Sequence, residues 1–176
     1  MTDAARFEAF VREYQDMVFA TAVRLLGREA DAEDVAQMVF LRAFERFGEI
    51  GRSPAAAGWL KTVTTNLCLN HLSRYRARWQ FFSEFDAAGR DTGPAFPQAP
   101  TAHEALERAE RQDRLERALR ALPDHQRVPL VLFHFEEMSY QAIADLLQVS
   151  VAKVKTDIHR GREALKKELT IPHGSR

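Results

Sequence analysis

Between Glu137 and Leu169 the chain reads EMSYQAIADLLQVSVAKVKTDIHRGREALKKEL, and this stretch limits the fold more than any other. Its apolar residues recur at helical spacing in two short blocks with a polar break between them. That pattern allows two helices joined by a tight turn, and little else. Ser139 is placed to cap the first helix, with Ile143, Ala144 and Leu147 on one face. Gln148-Val149-Ser150 supplies the break, and Ser150 can cap the second helix. There Val151, Val154, Ile158 and Leu165, with Gly161 between, form an inward stripe. The opposite face carries Lys153, Lys155, Thr156, His159, Arg160 and Arg162. A cationic helix on a small apolar platform suits the major groove, because phosphates attract Lys and Arg while base edges need directed donors and acceptors. A charged helix face is more often simply solvated, so the rest of the chain has to decide between the two readings.

The overall net charge is zero, but its distribution is uneven. Gln148 to Arg176 holds seven Lys and Arg against three Asp and Glu, and Ile50 to Ser83 holds five against none. Asp91 to Asp113 holds two bases against five acids. Two basic patches about an acidic connector suggest two nucleic-acid contacts and a spacer. The single cysteine, Cys68, excludes an internal disulfide and reads as a small buried hydrophobe, as expected in a reducing cytosol. With no signal-peptide pattern and no apolar run of membrane-spanning length, a cytoplasmic location is expected.

Taken in order, the chain reads as helices throughout. Phe7, Phe10, Val11, Tyr14, Val18, Ala22 and Leu25 predict an amphipathic helix from about Ala4 to Leu26, ended by Gly27. A second helix is expected from about Ala30 to Phe47, its first turn acidic through Asp31, Glu33 and Asp34, where the helix dipole favours negative charge. Val35, Met38, Val39, Leu41, Phe44 and Phe47 give it apolar surface on more than one face, which implies burial on two sides or a docking surface. After a loop from Gly48 to Arg52, Ser53-Pro54 predicts the start of a third helix reaching about Trp79. Trp59, Leu60, Val63, Leu67 and Leu72 can face its core, while Lys61, Thr62, Thr65, Asn66 and Asn70 lie off that stripe. Its end, Arg74 to Trp79, mixes bases with aromatics, which suits a single strand whose unstacked bases need flat surfaces. Phe81 to Pro100, broken by Gly89, Gly93, Pro94 and Pro97, reads as a linker. Thr101 and Glu104 form a capping box for a helix to about Leu122, with Leu106, Leu115 and Leu119 inward. Leu122-Pro123-Asp124 is placed to stop that helix and cap a dense apolar one from His125 to about Glu136, in which Pro129 sits awkwardly. Thr170 to Arg176 reads as a frayed tail. The expected fold is all-α: two small helical domains joined by a flexible linker, at residues 1–80, 81–100 and 101–170.

As a set, DAEDVAQMVFLRAFERF (Asp31 to Phe47), WLKTVTTNLCLNHLSRYRAR (Trp59 to Arg78) and LPDHQRVPLVLFHFEEMSYQAIADLLQVSVAKVKTDIHRGREAL (Leu122 to Leu165) resemble an extracytoplasmic-function sigma factor of the bacterial sigma-70 family. The likeness covers nearly all of the chain outside the linker and tail. It implies a protein that binds core RNA polymerase and starts transcription at −10 and −35 promoter elements, without a cofactor, a metal or catalytic residues.

The likeness also implies roles for residues. Asp31, Glu33, Asp34, Gln37, Leu41 and Arg42 would dock on the β′ clamp helices of polymerase. Trp59, Lys61, Asn66 and Asn70, with Arg74, Arg76 and Arg78, would hold the melted non-template strand of the −10 element. Lys153, Lys155, Thr156, His159 and Arg160 would read the −35 duplex, and the helices from Asp124 onward would meet the β flap. An anti-sigma factor covering the docking surface is a further implied partner. Some positions depart from the family pattern. Asp157 stands where a base is common, and an acid there would repel phosphate or accept from a cytosine amino group. Lys153, Gly161, Asn70 and Pro129 are also unusual. A stand-alone helix-turn-helix regulator would explain the C-terminal half but leave the acidic and aromatic-basic helices without a purpose. An enzyme is disfavoured, because the six histidines show no paired metal spacing and no phosphate loop or nucleophile motif is present.

Overall fold

The structure, a computed structural model, describes residues 2–73 and 102–170. The chain divides into two compact units, Met1–Tyr75 and Arg76–Arg176. Every regular element among the described residues is a helix. The expected linker, the basic stretch with Arg74, Arg76 and Arg78, and the expected tail beyond Thr170, which itself ends the last helix, lie outside the described residues.

The first unit is built from α1 (Asp3–Leu26), α2 (Glu29–Glu45), a single turn α3 (Phe47–Ile50) and α4 (Ala56–His71). Helices α1, α2 and α4 pack against one another. Val18, Ala22 and Leu25 of α1, Val35 and Val39 of α2, and Leu60, Leu67 and Cys68 of α4 are all buried. Each fully buried aliphatic side chain of this kind contributes roughly 1.5–3 kcal/mol. Thr2 caps α1 by accepting from the Ala5 amide at 3.2 Å, and Gly27 closes it in the left-handed conformation, φ 75°. Three boundaries differ from the expectation, one of them the end of the third helix, which stops at His71 rather than about Trp79. The second helix stops at Arg46 (φ −110°, ψ 15°), so Phe47 belongs to a separate turn where a loop was predicted. The third helix begins at Ala56 rather than Pro54, because the Ser53 hydroxyl accepts from the Ala55 amide (3.1 Å) and the Ser53 carbonyl from the Ala56 amide (3.2 Å), which holds a turn before the helix.

The second unit consists of α5 (Ala102–Ala121), α6 (Asp124–His134), α7 (Tyr140–Leu147) and α8 (Val151–Thr170). Helix α8 is the hub, packing on α5, α6 and α7. Both predicted caps form: Ser139 accepts from the Ala142 amide and Ser150 from the Lys153 amide, each at 3.1 Å. Gln148 takes the left-handed conformation that ends α7 (φ 57°). Buried Arg127 secures the α5–α6 turn by donating to the Leu122 carbonyl (2.7 Å) and to the Asp124 carboxylate. Within Leu122-Pro123-Asp124, Pro123 holds the N-cap position and Asp124 is the first helical residue. Pro129 is accommodated inside α6 and buried, so one helical donor is lost without ending the helix. Gly161 marks a close approach of α8 to α6: a Cβ there would meet Leu130 Cδ1 at 2.8 Å. Leu106, expected inward, is 65% exposed, because the first half of α5 extends without a described partner face.

Candidate nucleic-acid interface and docking face

Helix α2 has two faces of different character. Ala32, Val35, Val39 and Ala43 are buried against the bundle. The other side carries exposed Glu33, Asp34, Gln37 and Arg42 together with Met38, Leu41 and Phe44, which are 47%, 65% and 62% exposed. Leu41 and Phe44 rim a groove of about 960 Å³ between α1 and α2, lined also by Phe7, Val11, Phe19 and Phe40. Phe44 is exposed but braced. Its ring meets Phe7 edge-on at 5.1 Å, and Phe7 and Phe10 in turn meet Phe47 at 5.2 and 5.5 Å. Apolar surface held rigid and wet, next to unpaired acids, is the anatomy of a protein-docking site. Of the expected docking residues, Asp31 stands apart. It is half-buried, with Oδ2 3.6 Å from His71 Nε2 of α4. Met38 and Phe44 belong to this face although the resemblance did not name them; the excess of apolar residues on α2 was the signal for them.

The exposed side of α4 offers hydrogen-bonding groups. Lys61, Thr62, Asn66 and Asn70 are exposed, and Trp59 is half-buried. Thr62, Asn66 and Asn70 recur every four residues and so line one row of the helix. The Thr62 hydroxyl donates to the Gly58 carbonyl at 3.0 Å, leaving oxygen lone pairs outward. Amide side chains can both donate and accept, as reading an unstacked base requires.

On α8 the residues expected to read DNA differ in exposure. Lys155 is exposed, and His159 and Arg160 are partly exposed. Lys153 and Thr156, however, are buried. Lys153 Nζ lies 2.8 Å from Asp157 Oδ2 with the two side chains only 6% and 7% exposed, and the Thr156 hydroxyl donates to the Ala152 carbonyl at 3.0 Å. Asp157 is therefore withdrawn from the surface of α8. It neutralises a buried lysine on its own helix. Burial pushes the Asp157 carboxyl above its ordinary range, and the hydrogen bond and charge of Lys153 pull against that rise. His125, at the start of α6, feels the same cluster: burial lowers its pKa, Lys153 and Arg160 lower it further, and Asp157 and Asp124 oppose them.

One residue outside the expected set packs on a member of it. Tyr140, the first residue of α7, lies beneath Lys155, whose Nζ is 5.5 Å from the ring centroid. The second unit also has an apolar groove of about 490 Å³ lined by Leu115, Leu119, Leu130, Phe135, Leu165 and Leu169. Among the described residues no group of three or more His, Cys, Asp or Glu is placed to hold a metal ion, and no helix is long and apolar enough to cross a membrane.

The chain matches two family models, Sigma-70 region 2 over residues 10–78 and Sigma-70 region 4 over residues 112–165. It is 29% identical over 171 residues to the ECF RNA polymerase sigma factor SigW of Bacillus subtilis, covering 95% of this chain and 90% of that one. It is 30% identical over 172 residues to the RNA polymerase sigma-H factor of Pseudomonas aeruginosa, covering 95% and 88%. Its fold is similar to that of the sigma factor RpoE of Bartonella quintana, solved in complex with the anti-sigma factor NepR, with a TM-score of 0.50 at 18% identity over 94% of this chain and 97% of that one. The α2 face and the row on α4 fall within the region 2 match, and the exposed side of α8 up to Leu165 falls within the region 4 match. With both sigma-70 regions present in order, the chain belongs to the sigma-70 family of RNA polymerase sigma factors, in its extracytoplasmic-function group.

Proposed function

We propose that the protein joins core RNA polymerase through the α2 face, directs it to promoters by reading two elements, and is held inactive by an anti-sigma factor until a signal releases it. The division of labour follows residues 1–80 for docking and the −10 element, 81–100 as connector, and 101–170 for the −35 element. The observation that carries this reading is the α2 face: Leu41 and Phe44, 65% and 62% exposed, beside Glu33 and Asp34. A regulator working on duplex DNA alone has no use for it. A basic coiled coil such as the β′ clamp helices fits it, the acids pairing at the rim and the apolar groups filling the centre. An anti-sigma factor that covers the same groove would exclude polymerase by occupancy.

Asn66, with Trp59, Lys61 and Asn70, captures bases of the non-template strand at the −10 element. Melting then needs no catalytic group, because binding an extruded base offsets an unstacking cost of roughly a few kcal/mol. Lys155, His159 and Arg160 contact the −35 duplex. Lys153 is withdrawn from that set by its burial, and Thr156 acts on the helix backbone. The apolar groove of the second unit is where the β flap docks. The protein acts in the cytoplasm, on the polymerase.

Leu41→Ser with Phe44→Ser tests the docking assignment. The double variant should keep its helical melt and lose core binding by at least tenfold. Unchanged core affinity would remove the α2 face from the mechanism.

A further inference from the structure

Helix α8 carries two cations two turns apart, Lys155 and Arg162, on the same side. Between them and the body of the unit lies a pair of aromatic rings from two other helices. Phe133 of α6 and Tyr140 of α7 stack face to face, with centroids 4.6 Å apart and planes 6° apart. Lys155 Nζ sits 5.5 Å from the Tyr140 centroid, and the Arg162 guanidinium carbon 5.6 Å from that of Phe133. Arg162 is fixed in turn by donating from Nε to His134 Nε2 at 3.0 Å. The four side chains alternate in contact: cation on ring, ring on ring, ring beneath cation. The two rings come from the helices flanking the bend between His134 and Tyr140, so the stack joins α6 to both helices of the helix-turn-helix.

We propose that Tyr140 is a positioning residue for promoter recognition, its ring holding the exposed Lys155 ammonium in one direction before DNA arrives. Lysine has a long flexible stem and a point charge, so unrestrained it reads little sequence and settles on any phosphate. The negative face of an aromatic ring attracts the ammonium and limits where the stem can point. The stack on Phe133 keeps the Tyr140 ring from turning, and the Arg162–His134 bond keeps Phe133 beneath it. In this arrangement Lys155 approaches its contact with part of its rotamer entropy already spent, and the binding gain appears as discrimination between sequences. The inference rests on Lys155 facing the −35 duplex, as proposed above.

The test is a double-mutant cycle in reconstituted holoenzyme, using the full chain and a library of upstream promoter sequences. Lys155→Ala first defines which base positions depend on that lysine. An ammonium over a partly exposed ring corresponds to a factor of about 2–5 in binding. Tyr140→Leu should therefore weaken preference at those same positions by about 2–5-fold, and should add nothing further in the Lys155→Ala background. Tyr140→Phe should restore the wild-type preference, since the ring and not the hydroxyl is required. Phenylalanines of increasing ring fluorination at position 140 keep the shape and drain the ring of electron density, so they separate this role from packing even if the leucine variant folds poorly. Preference should decline stepwise along that series. Additive losses in the cycle, or a flat response to fluorination, would overturn the positioning role. If Lys155→Ala alone leaves the library profile unchanged, it is the assignment of the recognition face that fails.

Discussion

Removing the Asp157 carboxylate should be among the most damaging single changes available in the second unit. Lys153 and Asp157 are 2.8 Å apart with side chains 6% and 7% exposed, so removing either leaves a buried charge without its hydrogen-bonded counter-ion. Breaking such a pair from one side costs about 3–5 kcal/mol. A small helical unit has only several kcal/mol of net stability, so Asp157→Ala should bring it close to unfolding. The same chain contains a control with the same four-residue spacing. Arg12 and Glu8 are 2.6 Å apart but 74% and 63% exposed, and Glu8→Ala should cost less than about 0.5 kcal/mol. Replacing both buried partners, Lys153→Met with Asp157→Leu, should recover most of the loss, because it removes both desolvation penalties together. The sign of the pH response separates the two single variants. With Lys153→Met, the carboxyl remains under burial that raises its pKa. The folded state then holds its proton more tightly than the unfolded state, so stability falls as pH rises from the ordinary value of 3.8 through the raised one. This variant should therefore regain stability on acidification, whereas Asp157→Ala, left with a lone ammonium, should not. Hydrogen exchange at the α6 and α8 amides reports this unit within the intact chain. A loss below about 1 kcal/mol for Asp157→Ala, or equal losses for the exposed and buried pairs, would refute the reasoning.

Other outcomes follow from the same geometry. His125 has its pKa lowered from 6.5, chiefly by burial, so its contribution to stability is present above that value and is lost as pH falls from it toward the folded pKa. His125→Gln should flatten that slope, read as the difference between wild-type and variant melting temperatures from pH 8 to 5; parallel curves would exclude the histidine. Asn66→Ala should impair open-complex formation more than initial promoter binding, visible as weaker permanganate reactivity of the bubble; a normal bubble would remove Asn66 from strand capture. Arg160→Ala should reduce transcription mainly from promoters that depend on the upstream element, and an equal loss on promoters lacking it would place Arg160 outside sequence readout.

Much of this structure could be read directly from residue types. Ser139 and Ser150 announce their helices because a hydroxyl at the N-cap satisfies a free amide, and both bonds form. The excess of apolar residues on α2 left burial on two sides or a docking surface as alternatives, and the bundle leaves Met38, Leu41 and Phe44 uncovered. What periodicity could not supply was the width of the buried arc on α8. Lys153, Thr156 and Asp157 lie off the Val154–Ile158–Leu165 stripe, and a helix packed on one neighbour would leave them wet. This helix packs on three, and the arc widens to include them. Leu106 is the converse case: its place in the leucine repeat of α5 points inward, yet that end of the helix has no described partner to cover it. The break at Arg46 was hidden because Phe47 continues the apolar pattern of α2 while serving a different turn. The aromatic pair of Phe133 and Tyr140 was equally hidden, since residues on separate helices meet only once the turn between them is known.

Transcription by purified core polymerase, with and without this chain, tests the central claim most directly. On a library of bacterial promoters, the full chain should confer initiation on a subset sharing an upstream and a −10-like element, with a melted bubble at the latter. The Leu41→Ser, Phe44→Ser variant should abolish that activity while remaining folded. DNA binding by the chain alone, with no association with core and no start-site selection, would contradict the account.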